Sequence, residues 1–493
     1  MVDRADGALG PLGSMGRWID GEHHVLGRTV RGYHLCLLLL FALALLLRVV
    51  NNQPSFFSYW FDESEYSVRA RYIVEHDGGY DPVFLRDHPP LFPYLLAVPF
   101  AAIGPYWYVG RGLDIALSMV FLYVFFLIGR ELGGRRLGLC LAGLFAISPI
   151  IVYLNREVTL DTLTNLFLCL SFLFFLRYIR DPQWHQMVVA TAFFGFACIT
   201  KEVAVLFALP ILGLIVRRKL YMRPQVYAIL LLLLVIVVPI YHSMGQSGFF
   251  SFHTKQVTMT TVHSMGARTI ETDRFTSLLT FLGWCNVALV PVVMFIAERY
   301  KARKEGQGTA RGKRWGAMFK GFDDRHQFLL LWLVGGVIFS LSITLMGPHY
   351  DIYPFIPFII IVGYILRDVR RRTWLVTVAV TYLIVSICGI SYFYQLKGSD
   401  KAVDYLRDHM SEGDSLVVSD SPIFIYYFPD HDVVPVSEKA IVDEAATYVV
   451  LKSAHRIRYL SNETVMAAMQ DYVLVYETEV VEWDVRFYIY ERQ

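Results

Sequence analysis

Long apolar runs alternate with short polar segments along most of this chain. Because backbone N–H and C=O groups without partners are costly in hydrocarbon, such runs predict membrane-crossing helices, each of about 20 mostly apolar residues. The pattern predicts a mainly α-helical, polytopic membrane protein with about eleven spans. The expected spans are residues 33–50, 107–129, 137–153, 161–178, 185–200, 202–216, 225–242, 278–297, 327–346, 351–367 and 373–393.

The first span is expected to be retained rather than cleaved as a signal peptide. Its apolar core, Leu35–Leu47, follows a long polar tail and precedes Arg48-Val49-Val50-Asn51-Asn52 instead of a small-residue cleavage site. The Gly-rich opening, Met1–Gly27, is predicted to be disordered. Residues 1–32 are therefore interpreted as a disordered cytoplasmic tail.

One further apolar segment, Leu91–Ile103, is predicted to be a helix lying along the membrane surface. It contains Pro93 and Pro99, and its roughly 13 residues are too few to span comfortably. With this segment outside the membrane, every second loop is rich in Lys and Arg. The basic loops begin near Arg130, Arg177, Arg217, Arg299 and Arg367. The positive-inside rule then places these loops and the N-terminus in the cytoplasm.

The outer face receives the remaining loops, including 51–106 and 243–277, and the C-terminal segment. That segment begins with helix-like periodicity at Asp400–Met410 and then turns to strand-like alternation. The predicted strands are 415–419, 447–451, 472–477 and 487–490. The chain is thus divided into a transmembrane domain, 33–393, and a small extracytoplasmic α/β domain, 394–493. A multi-pass protein of the plasma membrane is expected.

Composition agrees with this interpretation. Hydrophobic residues make up 55% of the 493 residues and charged residues 18%, against about 45–50% and about 25% in soluble domains. Mean hydropathy is +0.44. A net charge of +2 gives no indication of nucleic acid as a partner. All six cysteines fall within apolar runs, so they are interpreted as small buried hydrophobes rather than disulfides or zinc ligands.

Four polar clusters fall on the predicted outer face, and this common location is the main indication of function. They are Asp62-Glu63-Ser64-Glu65, Arg86-Asp87-His88-Pro89-Pro90, Asn155-Arg156-Glu157 with nearby Asp161, and Thr200-Lys201-Glu202; His349-Tyr350 forms a weaker group of the same kind. Arginine, lysine and histidine suit a phosphate or pyrophosphate. A carboxylate such as Asp62 suits the deprotonation of a hydroxyl or amine. Together they suggest group transfer from a lipid-linked phosphate donor.

Each cluster also has a plain structural interpretation. The acidic group can be a solvated loop start, and His88 can be incidental to the start of a helix. Arg156 and Asp161 can sit at the interface with their polar ends in water. Lys201 and Glu202 are harder to explain in this way, because charges at membrane depth are costly unless they are paired or line a polar cavity.

In these residues the chain resembles the C-type-fold glycosyltransferases that use polyprenyl-phosphate sugars. It is most similar to the superfamily of protein O-mannosyltransferases and lipid A aminoarabinose transferases. The resemblance covers residues 33–393, and the C-terminal domain resembles the family only in its general character. The motifs that carry it are Phe61-Asp62-Glu63, Asp87-His88-Pro89-Pro90-Leu91, Ile147-Ser148-Pro149 with Arg156 and Asp161, Thr200-Lys201-Glu202, and His349-Tyr350 followed by Pro354 and Pro357. Tyr80-Asp81-Pro82-Val83 also resembles an archaeal branch associated with surface-glycan assembly.

The resemblance implies a role for each matched position. Asp62 is the expected base that activates the acceptor, with Glu63 beside it in the catalytic pair. The expected donor-phosphate ligands are Arg156, Lys201 and His88, and the acceptor or metal side comprises Asp161, Glu202, His349 and Tyr350. The reaction is expected to be an inverting transfer of a hexosyl or pentosyl group. Because the lipid phosphate leaves already charged, a general acid is unnecessary.

Metal dependence and the acceptor stay open at this point. Some members of the family contain a divalent ion and others need none. Glu63, His88 and His349 are possible ligands here, without diagnostic spacing. The chain lacks the long sugar-binding domain that some O-mannosyltransferases carry, so the acceptor can be a protein, a lipid or a glycan. The expected partners are that acceptor, membrane lipids and a polyprenyl-phosphate sugar donor.

Two rival functions are compatible with a polytopic membrane protein. A lipid-linked-sugar flippase predicts polar residues near the bilayer midplane and inverted repeats. The polar clusters instead fall at one interface, and no internal repeat is visible in the sequence. A non-catalytic glycan-assembly protein with a C-terminal sensing domain is the other alternative.

Overall fold

A computed structural model describes most of the chain from Asp20 to Gln493. The described residues are 20–25, 28–50, 52, 62–81, 88–246, 285, 324–342, 348–368, 372–395, 400–419, 421–444, 446–478 and 486–493. Several expectations fall outside these ranges. They are nearly all of the predicted span 278–297, most of the loop 243–277, most of the disordered tail, and Arg86 and Asp87 of the second polar cluster.

Helices make up most of the described chain from residue 32 to residue 395. They are α1 (Gly32–Val49), α2 (Asp62–Glu75), α3 (Leu91–Ile103), α4 (Trp107–Gly133), α5 (Arg135–Ile147), α6 (Pro149–Leu154), α7 (Leu160–Arg180), α8 (Trp184–Cys198), a 3-10 helix (Glu202–Ala208), α9 (Leu209–Arg217), α10 (Pro224–Gln246), α11 (Asp324–Ser342), α12 (Pro348–Asp368) and α13 (Arg372–Gln395). By length and composition, α1, α4, α7 and α10 are able to cross a membrane. Each predicted span within the described residues coincides with helical structure.

Two predicted boundaries are wrong, and proline accounts for both. The expected span 137–153 is divided at Ser148, which is extended (φ −66°, ψ 123°) between α5 and α6. Pro149 disfavours helical backbone in the residue before it and has no N–H to continue the ladder. The span expected at 351–367 begins earlier, as α12 at Pro348, since proline suits the first helical position.

The N-terminal tail also differs from its prediction at its end. Strands β1 (Glu22–Val25) and β2 (Arg28–Arg31) pair antiparallel, with Glu22 opposite Arg31. Residues that were expected to be disordered up to residue 32 therefore include an ordered hairpin leading into α1. Each strand has four residues, too few for an alternating pattern to be recognised in the sequence.

The segment between α1 and α4 contains two helices that pack on the start of α4. Tyr66 and Ala70 of α2 share a buried apolar cluster with Phe92, Leu96 and Phe100 of α3. The predicted helix at 91–103 is confirmed, and its position along the membrane surface stays a prediction. This packing fixes α2, whose first residue is Asp62, against the helical domain.

The main core of the helical domain lies between α4, α5, α7, α11 and α12. Aromatic side chains dominate it: Phe121 and Phe145 meet edge to face, and Phe172 packs against Trp332. Helices α4 and α5 cross at two glycines. A Cβ on Gly129 would lie 2.7 Å from Cα of Gly138, so the two backbones are in direct contact.

The C-terminal segment forms an α/β unit around a mixed sheet. Its elements are α14 (Asp400–His409), β3 (Ser415–Val418), α15 (Ser421–Tyr427), β4 (Asp432–Pro435), α16 (Glu438–Asp443), β5 (Tyr448–Lys452), α17 (Ser453–Leu460), α18 (Glu463–Ala468), β6 (Tyr472–Glu477) and β7 (Phe487–Arg492). The strand order is β4-β3-β5-β7-β6. Strand β3 runs parallel to β4 and β5, whereas β7 runs antiparallel to β5 and β6. The predicted strands are all present. Strand β4 was missed, since it is a short edge strand that ends in proline.

Candidate active site

A buried carboxylate, Asp161, is the centre of the site. Its oxygens accept hydrogen bonds from Lys201 Nζ at 2.8 Å and Tyr353 Oη at 2.6 Å. His349 Nδ1 lies 3.1 Å from the second oxygen. All four side chains are buried. Asp161 therefore joins three elements that are distant in sequence: α7, the turn after α8, and α12.

Local backbone structure explains why these side chains converge. Asp161 lies in the first turn of α7, where the helix dipole favours a negative charge. Lys201 follows the end of α8 in extended conformation (φ −149°, ψ 132°), which separates it from the 3-10 helix. His349 and Tyr353 are four residues apart on α12 and thus share one face.

Aromatic rings enclose the Lys201 ammonium. Its Nζ lies 5.6 Å from the ring centres of both Tyr350 and Tyr353. At this distance a ring face attracts a cation. The rings and Asp161 together stabilise a buried positive charge at this point.

A second pair, His88 and Glu202, lies at the more open edge of the site. His88 Nδ1 is 3.0 Å from a Glu202 carboxylate oxygen, and about a quarter of each side chain is exposed (25% and 24%). Burial lowers the pKa of His88, but the charge and hydrogen bond of Glu202 outweigh it, so the pKa is raised overall. The pair links the segment between α1 and α4 to the turn after α8. Leu91 N–H reinforces this link by donating to the carbonyl of Ile199 at 3.4 Å.

Asp62 opens α2 beside these groups. Burial raises the pKa of its carboxyl, while the charges of His349, His88 and Lys201 act in the opposite direction. The side chain is partly exposed. Asp62 thus lies within electrostatic reach of the cationic side of the cluster, and a proton acceptor and cations share one region.

Glu63 has a different set of partners from its neighbour Asp62. Both of its carboxylate oxygens accept from Arg111, at 2.6 Å from Nε and 2.8 Å from Nη2. The other guanidinium nitrogen of Arg111 donates to Asn52 at 2.7 Å, and the Val158 N–H lies 3.3 Å from Glu63. Glu63 is fully buried. This bidentate pair fastens α2 to α4 directly beside Asp62.

Arg156 lies at the end of α1. Its Nη2 donates to the carbonyl of Val50 at 3.1 Å. The preceding Asn155 donates from Nδ2 to Thr162 Oγ1 at 2.8 Å. The buried Arg48 donates from Nη2 to Asn155 Oδ1 at 3.5 Å. Arg156 is therefore held against the first span, whereas Lys201 is held by Asp161.

The structure brings together most of the residues predicted from the sequence. Those that surround Asp161 and Asp62 are His88, Lys201, Glu202, His349 and Tyr350. Arg111 and Tyr353 were missed. A charged residue inside a predicted apolar span could have revealed Arg111, and the four-residue spacing from His349 could have revealed Tyr353.

The three proposed metal ligands do not form one set. Glu63 is paired with Arg111, His88 with Glu202 and His349 with Asp161. Among the residues that the structure describes, no group of three or more His, Cys, Asp or Glu side chains could hold a metal ion.

Sequence comparison identifies one family in part of the chain. Residues 87–242 match the family described as dolichyl-phosphate-mannose-protein mannosyltransferase. The matched segment contains His88, Arg156, Asp161, Lys201 and Glu202. No curated protein sequence matches the chain. The predicted enzyme class, a glycosyltransferase, agrees with this family match.

Solved structures with the same fold cover nearly the whole chain. ArnT from Cupriavidus metallidurans, bound to undecaprenyl phosphate, is 15% identical with a TM-score of 0.62, covering 92% of this chain and 97% of ArnT. The oligosaccharyltransferase AglB from Archaeoglobus fulgidus, in complex with an inhibitory peptide and a dolichol-phosphate, is 11% identical with a TM-score of 0.54. That match covers 92% of this chain and 74% of AglB. The resemblance predicted from the sequence is therefore confirmed: the chain has the C-type glycosyltransferase fold, and its residues 87–242 match the dolichyl-phosphate-mannose-protein mannosyltransferase family.

Proposed function

We propose that this protein transfers a sugar from a polyprenyl-phosphate-linked donor to an acceptor at the outer face of the membrane. The observation that carries the proposal is the position of Asp62, a partly exposed carboxylate within reach of the charges of His349, His88 and Lys201. A base and cations side by side are what transfer from a phosphate leaving group requires. The fold and the family match support the same chemistry.

In the proposed reaction, Asp62 accepts the proton of an acceptor hydroxyl or amine. The acceptor atom attacks the anomeric carbon, the bond from that carbon to the phosphate oxygen breaks, and the phosphate keeps the electron pair. A single displacement inverts the anomeric configuration. Because the lipid phosphate leaves as an anion, the cations replace the general acid that a poorer leaving group would need.

Lys201 is the proposed main ligand of the donor phosphate. An ammonium group carries three N–H donors, and Asp161 accepts from one of them at 2.8 Å. The phosphate oxygens would share the same ammonium and add His88 from the open edge. Arg156, held at the end of α1, is proposed to contact the donor from the side of the first span.

The acceptor is proposed to enter from the side of Glu202 and His88, where the site is more exposed than around Asp161. Protein, lipid and glycan acceptors are all compatible with a hydroxyl or amine nucleophile at Asp62. Asp161, His349 and Tyr350 would shape the floor of this region. In ArnT and AglB the bound lipid is undecaprenyl phosphate or dolichol-phosphate, and a lipid of this kind is the proposed donor carrier here.

Transport is the rival function, and it predicts a different placement of charge. A flippase needs polar groups along a path that reaches both faces. The described ionisable residues around Asp161 converge on one region instead, and they do so from the ends of α7, α8 and α12. This convergence favours group transfer over movement of the whole lipid.

The proposal is tested with purified protein and a panel of polyprenyl-phosphate donors labelled in the sugar. Release of lipid phosphate and movement of the label into product are measured together, with and without a chelator. We expect one donor to be consumed, with label in product equal to lipid phosphate released. Intact donor recovered on the opposite side of proteoliposomes, without release of lipid phosphate, would favour the flippase instead.

A further inference from the structure

The C-terminal domain contacts the helical domain through α15, which packs against α2. Tyr426 of α15 donates its hydroxyl to the carbonyl of Pro105 at 2.5 Å. Pro105 lies in the turn between α3 and α4. The side chain of Tyr426 is 8% exposed, so this contact is a buried one between the two parts of the chain.

The other side of α15 is packed into the core of the C-terminal domain. Ile423 and Phe424 lie in the buried core of the C-terminal domain, beside Leu416 of β3 and Ile489 of β7. Neighbouring residues of one short helix thus face two different domains. Any movement of the sheet relative to the helical domain must therefore displace the contact at Tyr426.

The same region contains the ion pair that fastens α2. Tyr426 lies close enough to Glu63 for the carboxylate charge to act on its hydroxyl, and Tyr427 is similarly close to Arg111. Burial raises the pKa of Tyr426, and the neighbouring Tyr427 adds to the effect, so the hydroxyl stays protonated and able to donate. The docked domain therefore lies within electrostatic reach of the pair beside Asp62.

We propose that the C-terminal domain is a working part of the transfer site. Tyr426 is the positioning residue: its bond to Pro105 anchors α15 on the turn between α3 and α4, and α15 in turn packs against α2 and holds Asp62 near the cations. The inference rests on the proposed function. Catalytic groups must be held within a fraction of an ångström of their productive geometry. A contact that fixes the helix carrying the base contributes to the rate without touching substrate.

This role predicts a specific kinetic pattern. Tyr426→Phe removes one hydrogen bond, which stabilises by about 1 kcal/mol, so kcat is expected to fall about fivefold. Tyr426→Ala also removes the ring and should lower kcat at least about tenfold. The KM for the donor should not change, because Lys201 and Asp161 are not altered. The acidic limb of the pH profile should move to lower pH in Tyr426→Ala, since a loosened Asp62 is better solvated.

The matched control is Tyr472→Phe. Tyr472 also donates its hydroxyl to a backbone carbonyl, that of Ala446 at 2.6 Å, but both residues lie within the C-terminal domain. This variant should keep the wild-type kcat, KM and pH profile. Equal losses in the Tyr426 and Tyr472 variants would show a general effect on the domain and overturn the proposal.

Hydrogen exchange separates failure of this inference from failure of the proposed function. We expect faster exchange in peptides covering 62–75 for both Tyr426 variants, and wild-type exchange there for Tyr472→Phe. Hydrogen exchange needs no substrate, so it tests whether the Tyr426 contact stabilises α2 even if the protein transfers sugar from none of the donors. Wild-type exchange in α2 for Tyr426→Ala, or wild-type kcat in that variant, would overturn the proposal.

Discussion

Asp161 and Lys201 form an ion pair in which the two side chains are only 3% and 6% exposed. Removing one partner of such a pair leaves an uncompensated charge in the interior, whereas removing both leaves none. Asp161 is also within hydrogen-bond distance of His349 and accepts a hydrogen bond from Tyr353. At the scale of single residues, the site is therefore held by mutual pairing.

Lys201→Met should lower the free energy of unfolding by about 3 kcal/mol, because Asp161 would remain buried without its cation. The double variant Lys201→Met/Asp161→Leu should lose clearly less than the sum of the two single losses. Thermal unfolding in detergent measures all three variants. The exposed pair Asp404 and Arg407 is the control, and Asp404→Asn should change nothing measurable. If the loss of unfolding free energy in the double variant equals the sum of the two single losses, Asp161 and Lys201 do not stabilise each other.

The pairing of His88 with Glu202 should make stability depend on pH. The pKa of His88 is raised in the folded protein, so its contribution is fully present below about pH 6.5, the ordinary value. This stabilisation of the folded state by the His88–Glu202 pair is lost as the pH rises through the higher pKa that His88 has in the folded protein. We expect the melting temperature of wild type to fall over this range and that of His88→Gln to fall less. The control His76→Gln, at an exposed histidine, should follow wild type; a His88→Gln curve parallel to wild type would contradict this origin.

At the scale of elements, close helix crossings bring the site residues together. Gly129 of α4 and Gly138 of α5 touch through their backbones, and Gly336 of α11 meets Pro354 of α12, where a Cβ would lie 2.6 Å from Cα. The second crossing lies one helical turn from Tyr350. Small residues at such points allow close packing of membrane helices, so the positions of α4 and α12 depend on them.

Gly129→Ala should destabilise the protein and lower the yield of folded material. Its Cβ would lie 2.7–2.8 Å from the backbone of Gly138 and Leu137, and backbone at a helix crossing cannot move aside as a side chain can. Gly112→Ala, in the same helix, is the control because nothing lies within 4 Å of its Cβ. Melting temperature measures both variants. Equal melting temperatures would show that the α4–α5 crossing is looser than described.

Much of the fold could be predicted at this scale, and less of the site. The length of each apolar run predicts the position of each described span, because the thickness of the hydrocarbon layer sets how many apolar residues a span needs. The pairing of Asp161 with Lys201 and His349 joins residues 40 and 188 positions apart, and no local pattern encodes such distances. The sequence marked Glu63 as catalytic beside Asp62, yet only the three-dimensional structure reveals that Arg111 occupies both of its oxygens.

For the molecule as a whole, the proposed outer-face reaction requires one orientation in the membrane. The basic loops predict a cytoplasmic N-terminus and place Asp62, Lys201 and the C-terminal domain outside. The contact of Tyr426 with Pro105 requires the first external loop and the C-terminal domain to share one side. The structure is thus consistent with the sidedness predicted from charge.

Cysteine labelling tests this orientation in a variant whose six native cysteines are replaced by alanine. Glu412→Cys, on an exposed turn of the C-terminal domain, should react with a membrane-impermeant maleimide in intact cells. Asp181→Cys, on the exposed turn between α7 and α8, should react only after the membrane is opened. The reverse pattern would place the site in the cytoplasm and contradict the proposed outer-face reaction.

The single-turnover rate of Asp62→Asn, measured with donor already bound, tests whether Asp62 is the base for sugar transfer. Asparagine keeps the size of the side chain but accepts no proton, so the rate should fall by about 10²–10⁴-fold while donor affinity stays close to wild type. Glu75→Gln, at the exposed other end of α2, should transfer at the wild-type rate. An Asp62→Asn variant that folds, binds donor and transfers sugar as fast as wild type would contradict the account.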